Sequence, residues 1–337
     1  MKHIVFYSGG LGSWAAARRV IEKEGIENVI LLFTDTLIED EDLYRFLLET
    51  TQQFYGIDKF DLIKKIYDMP PIRHETMNDR KKFLIELAKE VRDRNPNFVW
   101  LNDGRDPWDV FFDSKYLGNS RIAQCSHILK QELSRRYIEE NFKPHKPSGI
   151  KKMDKTRKNI VYCETDEEFE KNRIDWDQDD REPCKLYLGI DWTEEHRTKA
   201  PTRNWLPYTV EFPMCEEPLV TKIDIAKDLV ESGIRRPKLY DMGFSHNNCA
   251  GFCVRAGQGH FVNLLKHKPQ LYRYHEQREQ EIREFLGKDV SILRRQKDGK
   301  KYRLTLKQLR EEIESNNTKD IDMMDIGGCG CFVSYDD

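Results

Sequence analysis

An apolar run from His3 to Tyr7 leads directly into Ser8-Gly9-Gly10-Leu11-Gly12-Ser13, and then into WAAARRVIEKEG, a stretch of helix formers with Gly25 placed as its stop. Strand, glycine turn and helix form a unit that buries its strand only within a sheet covered by helices. This segment therefore constrains the fold more than any other. The alternation continues. Val29 to Phe33 is a second apolar run, and a helix-like pattern around Leu43, Phe46 and Leu47 follows it. Residues 59 to 67 read as a third strand, 79 to 95 as a charged amphipathic helix, and Phe98 to Leu101 as a further strand. The predicted class is α/β, a Rossmann-like open and mostly parallel sheet with helices on both faces.

From Arg121 to Phe142 the pattern predicts one long helix, stopped by Pro144 and Pro147. Residues 145–184 are crowded with Lys, Asp and Glu and read as a charged insertion, after which KLYLGI at 185–190 resumes the sheet. This gives a nucleotide-binding α/β domain over 1–220. The remainder, 221–337, is expected to be a mainly helical cysteine-bearing region, with helices over 222–233 and 260–286 and a basic hairpin-like stretch over 294–303.

The length of 337 residues supports one large or two modest domains, and a 38% apolar share suits a globular chain despite 34% charged residues. A net charge of -3 removes any global argument for nucleic-acid or membrane binding, so such partners must be argued from local sites. No segment has the apolar length of a membrane span or signal core, and a cytoplasmic protein is expected, with its eight cysteines reduced, metal-bound or catalytic.

In the glycine loop, Gly9 and Gly10 let backbone N–H groups face an anion at the positive end of the helix, and Ser8 and Ser13 add hydroxyl donors. The plain alternative is a tight turn. Cys249 and Cys253, with three residues between them, and Cys329 and Cys331, with one, lie in glycine-bearing turns and could place four thiolates on zinc or an iron–sulfur cluster. Separate buried or redox thiols are the alternative, with His246 and His260 as reserve ligands. Cys125, flanked by Arg121, His127 and Lys130, reads either as an activated thiolate or as a small buried hydrophobe. Arg105, in a loop after a strand, reads as a phosphate or sulfate contact or as half of a solvated ion pair.

Beyond these local readings, SGGLGS resembles the SGGxDS loop of the PP-loop ATP pyrophosphatases and the related phosphoadenylyl-sulfate (PAPS) reductases. FTDTLIEDEDLYRF is similar to DTGxxFPETxxF, with Asp35, Thr36 and Glu41 at matching places. AQCSHILKQEL matches a helix carrying Cys125 and Lys130, LYLGIDWTEEHR a strand and loop with Gly189 and Glu194, and LYDMGFSHNNCAGFC the pattern LYxxGYxxxGCxxC. The resemblance covers residues 3 to 255. It implies an adenine nucleotide, ATP or PAPS, bound by residues 8–13 with Asp35 and Thr36, and Mg²⁺ with the phosphates; Arg105, from its own loop, joins them as a binding candidate. Cys125, Lys130 and Arg121 are then the catalytic candidates, Lys130 or Arg121 neutralising the leaving group.

The departures bear on the reaction. Gly12 stands where the pyrophosphatases carry an acidic residue, Asp191 replaces an arginine, and the ECGxH tail of true PAPS reductases is absent. The reading implied is ATP-dependent adenylylation and sulfur transfer to an acceptor such as tRNA or DNA, with a sulfur-donor protein as a further partner. PAPS or adenylyl-sulfate reduction, and a non-catalytic nucleotide-binding module with structural zinc, are the alternatives.

Overall fold

The computed structural model describes residues 1–119, 122–145, 167, 176–297 and 299–327. Arg121, Cys329 and Cys331 lie outside the described residues, as does most of the stretch 145–184. Two compact units interleave along the chain. The first comprises Met1–Phe33, Asn95–Val99 and Ser134–Ser232; the second comprises Thr34–Arg94, Trp100–Leu133 and Gly233–Asp337. The break expected at residue 220 falls inside the first unit.

The class is α/β, with a mostly parallel sheet flanked by helices. Its strands are β1 (Lys2–Phe6), β2 (Val29–Asp35), β3 (Phe98–Asn102), β4 (Phe142–Pro144), β5 (Glu182–Tyr187) and β6 (Val210–Glu211). The order is β3-β2-β1-β5-β4, with β6 also paired to β5. Ile4 of β1 stands opposite both Ile30 and Leu186 in parallel register. β4 and β6 lie along successive parts of β5, also parallel. Every residue of β2 is buried, as expected of a strand covered on both faces. β2 and β3 extend the sheet on one side of β1 and the later strands extend it on the other. A reversal of this kind opens a crevice beyond the carboxyl ends of the central strands.

In the first unit α1 (Leu11–Glu24) buries Leu11, Trp14, Ala16, Ala17 and Val20. The helix Lys222–Glu231 lies beside it, Arg18 reaching Asp228 at 3.4 Å. The second unit contains α2 (Glu41–Tyr55), α3 (Phe60–Ile66), α4 (Met77–Arg94), α5 (Pro107–Asp113) and the C-terminal helices. Trp108, Phe111, Phe252, Phe261, Leu264 and Tyr272 belong to its core. At its centre Trp108 Nε1 donates to His275 Nδ1 at 3.0 Å, and the His275 ring stacks on Phe252 with centroids 3.6 Å apart.

Three expected elements differ. Residues 59–67 form no strand: Leu62, Ile63 and Ile66 are buried at helical spacing while Phe60 and Tyr67 are exposed, and Phe60–Ile66 is the helix α3. The helix expected over 121–142 begins at Gln124 and passes through a π-helical turn, His127–Glu132, before Leu133–Asn141. The stretch 260–286 is two helices, Gln258–His267 and Pro269–Leu286, because Pro269 cannot continue the first and suits the opening position of the second. The basic hairpin forms as expected, Leu293–Lys297 antiparallel to Lys300–Leu304. Among the described residues no helix is long and apolar enough to cross a membrane.

Glu279, buried in Pro269–Leu286, accepts from Ile292 N at 2.9 Å and Leu306 N at 2.6 Å. One carboxylate thus ties the hairpin and the helix Leu306–Glu314 to the second unit. Glu279→Ala strands both N–H groups, and urea unfolding is expected to show a loss of about 2–5 kcal/mol. A loss within the error of the extrapolation would contradict this role.

Candidate functional site

In the first unit, Tyr7 N still donates to Leu32 O at 2.8 Å before the chain leaves β1. Gly9 then takes a left-handed φ of 76°, a conformation glycine adopts at no steric cost. Gly10 is extended, with no side-chain cap on α1 and no acidic residue in its first turn. The positive end of a 14-residue helix thus carries no acidic residue of its own first turn. Ser13 Oγ donates to Gly10 O at 2.9 Å and lies 3.3 Å from Ser8 Oγ, so both hydroxyls are gathered at the turn.

Gly12 has a different task. A Cβ there would stand 2.8 Å from Gly189 O, and a Cβ on Gly189 would stand 2.6 Å from Gly12 O. The two backbones meet where the chain leaves adjacent strands, β1 and β5, and neither position has room for a side chain. The glycine at position 12, where the resemblance leads one to expect an acid, has this steric cause. Asp191 is likewise structural, capping the turn Trp192–Thr198 by accepting from Thr193 N at 2.9 Å.

The second unit gathers a buried polar cluster that no spacing in the sequence announces. Its centre is Glu39, which is fully buried and was not anticipated; Glu41, matched by the resemblance, is exposed. Glu39 Oε1 accepts from Thr36 Oγ1 at 3.0 Å and pairs with Lys130 Nζ at 3.4 Å, while Oε2 accepts from Cys249 N. Cys249 Sγ lies 4.0 Å from both Thr36 Oγ1 and Glu39 Oε1. Cys249 and Ala250 hold successive left-handed φ values of 52° and 51°, strain that the bond to Glu39 helps to hold in place. Lys130 projects from the π-helical turn, a distortion that often marks functional positions. Arg80 supports the loop from below, donating to the carbonyls of Leu37 at 3.3 Å, Pro70 at 2.7 Å and Glu39 at 2.7 Å.

Cys125, Cys249 and Cys253 line one cavity of about 30 Å³ with Thr36 and Lys130. Cys125 is thus brought beside the cysteine turn, although 124 and 128 residues separate it from Cys249 and Cys253. Among the described residues no three His, Cys, Asp or Glu side chains converge as a metal site. Of the four predicted cluster ligands, Cys249 and Cys253 are the two that lie within the described residues. Of the reserve ligands, His260 Nε2 bonds to Gly251 O at 2.7 Å and belongs to the scaffold of the cysteine turn. Burial and the nearby charges of His260 and Lys130 push His246 down to about 3, so it is neutral.

Asp35 faces inward. Its carboxylate is fully buried and accepts from Leu37 N at 2.7 Å, Tyr44 Oη at 2.8 Å and Trp100 Nε1 at 3.0 Å, which makes it a support of the Thr36–Glu39 loop. Arg105 forms a local ion pair, reaching Asp113 at 2.9 Å and also bonding Asp103, as the plain alternative has it.

No family model, curated protein or solved structure matches this chain.

Burial, and then the charge of Glu39, push Asp35 up to about 7. A folded state that holds this proton more tightly than the unfolded chain is stabilised fully below the usual carboxylate range, and loses that stabilisation as pH rises toward 7. Asp35→Asn removes the titration. The stability gap between wild type and variant is expected to be widest near pH 4 and to narrow toward pH 7 in urea melts; parallel pH profiles would contradict the assignment.

Proposed function

We propose that this chain is a PP-loop enzyme of the PAPS reductase-like kind, which binds an adenine nucleotide on residues 8–13 and catalyses ATP-dependent adenylylation and sulfur transfer. The observation that carries the nucleotide reading is the glycine turn that opens α1 at the sheet's point of reversal, pressed against Gly189. There the backbone amides and the hydroxyls of Ser8 and Ser13 would hold the phosphates, and Mg²⁺ would supply further charge neutralisation when bound.

In this reading an acceptor oxygen attacks the α-phosphorus of ATP, forming the adenylylated acceptor and releasing pyrophosphate. A sulfur nucleophile from a donor protein or a cysteine then displaces AMP. The thiol-lined cavity supports the sulfur half of the reaction, because Cys125, Cys249 and Cys253 share it with the ammonium of Lys130. The same thiols also favour a second reading, in which PAPS or adenylyl-sulfate is itself the sulfur substrate and is reduced to sulfite. The products separate the two: pyrophosphate and AMP from ATP in the first, sulfite from the sulfonucleotide in the second.

Ser8→Ala and Ser13→Ala each remove one hydroxyl donor to a charged oxygen, and calorimetric titration is expected to show ATP or PAPS affinity falling about tenfold for each. Gly189→Ala forces its Cβ onto Gly12 O, and is expected to weaken binding further and to lower the melting temperature. Unchanged affinity in all three variants would remove the glycine loop from nucleotide binding.

A further inference from the structure

The chain carries a net charge of -3, yet residues 288 to 303 hold seven Lys and Arg against two Asp. The hairpin sorts these cations. Leu293 and Leu304 are opposite each other and each only 3% exposed, which fixes the inward face. Alternation along the strands then turns Arg294, Gln296, Lys301 and Arg303 outward, and all four are exposed. On the inward side Arg295 is neutralised by Glu312, with bonds of 2.9 and 2.6 Å. On the outward side Arg303 bonds Asp289 at 3.1 Å, and Arg294 stands directly opposite Arg303, a cross-strand pairing of like charges that destabilises a hairpin.

Those two arginines line a cavity of about 240 Å³ with Lys115, Lys288, Tyr116 and Asn119, and no Asp or Glu is among its walls. The neighbouring acid is Asp289, which bonds Arg303 at 3.1 Å and Arg283 at 2.9 Å. Among the described residues no carboxylate pairs with Lys115, Lys288 or Arg294. Four cations therefore surround one recess, with a like-charge pair at its rim that an anion would relieve.

We propose that this recess and the outward face of the hairpin bind the phosphodiester backbone of a nucleic acid. A recess accepts a phosphate projecting from a sugar–phosphate chain, whereas a lipid surface is planar, and the outward face offers no apolar side chain to enter one. The inference deepens the transfer reading, since it names where a nucleic-acid acceptor would be held.

The test uses the full chain and fluorescein-labelled 20-nucleotide single-stranded DNA and RNA, and the DNA duplex, titrated by anisotropy from 50 to 250 mM NaCl. Affinity for at least one of them is expected to fall with salt. Arg294→Ala/Arg303→Ala is expected to weaken that binding by at least tenfold at the lowest salt and to reduce the slope of log affinity against log salt by about 1.4–1.8. Lys82→Ala, a 76% exposed lysine elsewhere in the second unit, serves as the control and is expected to change nothing. The melting temperature of Arg294→Ala is expected to equal or exceed that of wild type, because the like charge is relieved.

Equal affinities and slopes for wild type and the double variant would overturn the proposal, as would no binding of any oligonucleotide at 50 mM NaCl. Variant-sensitive binding to phosphatidylserine vesicles without oligonucleotide binding would assign the patch to an anionic membrane and overturn it too. ATP affinity measured on the same double variant is expected to be unchanged, so failure here is distinguishable from failure of the nucleotide reading.

Discussion

Gly12 and Gly189 meet backbone to backbone, and the geometry of the glycine loop depends on that meeting. Their carbonyls stand where each other's Cβ would be, so the turns leaving β1 and β5 close on one another only if both residues lack a side chain. This closeness fixes where α1 begins, and with it the direction of the helix's positive end. It also determines which chemistry the loop can support. An acidic side chain at position 12 cannot be accommodated without moving the β5 turn, so the polar groups of the loop itself are backbone amides and the hydroxyls of Ser8 and Ser13.

The second unit solves a different problem, the burial of charge. Glu39 is out of water, and an isolated carboxylate there would be costly; Lys130, Thr36 and the Cys249 amide satisfy it. The same bonds hold Cys249 and Ala250 in their left-handed conformations and orient the cysteine turn toward Cys125. Arg80 and Asp35 act one layer further out, the first binding carbonyls of the Leu37–Glu39 loop and the second its Leu37 amide. A thiol site of this kind is built by electrostatic satisfaction of a buried acid rather than by hydrophobic packing alone.

Much of this was legible in the sequence where the signal is local. The run His3 to Tyr7, its glycine turn and the helix that follows could be read directly, as could the covered strand β2 and the basic hairpin. Short strands with weak composition, β4 and β6, were not legible, since their pairing with β5 is decided by distant residues. Phe60–Ile66 was misread because a short apolar run gives strand and helix nearly the same pattern, and only burial separates them. The break at Pro269 was legible in principle from proline chemistry. Glu39 was not, because its importance comes from Lys130 and Cys249, which lie 91 and 210 residues further along the chain. The convergence of Cys125 with the cysteine turn is hidden for the same reason.

Hydrogen–deuterium exchange with saturating ATP and, separately, PAPS reads the backbone amides proposed to grip the phosphates. Slowed exchange across residues 8–13 and the first turn of α1 is expected with at least one of the two nucleotides. Exchange there that is unchanged while nucleotide is demonstrably bound elsewhere on the chain would contradict it.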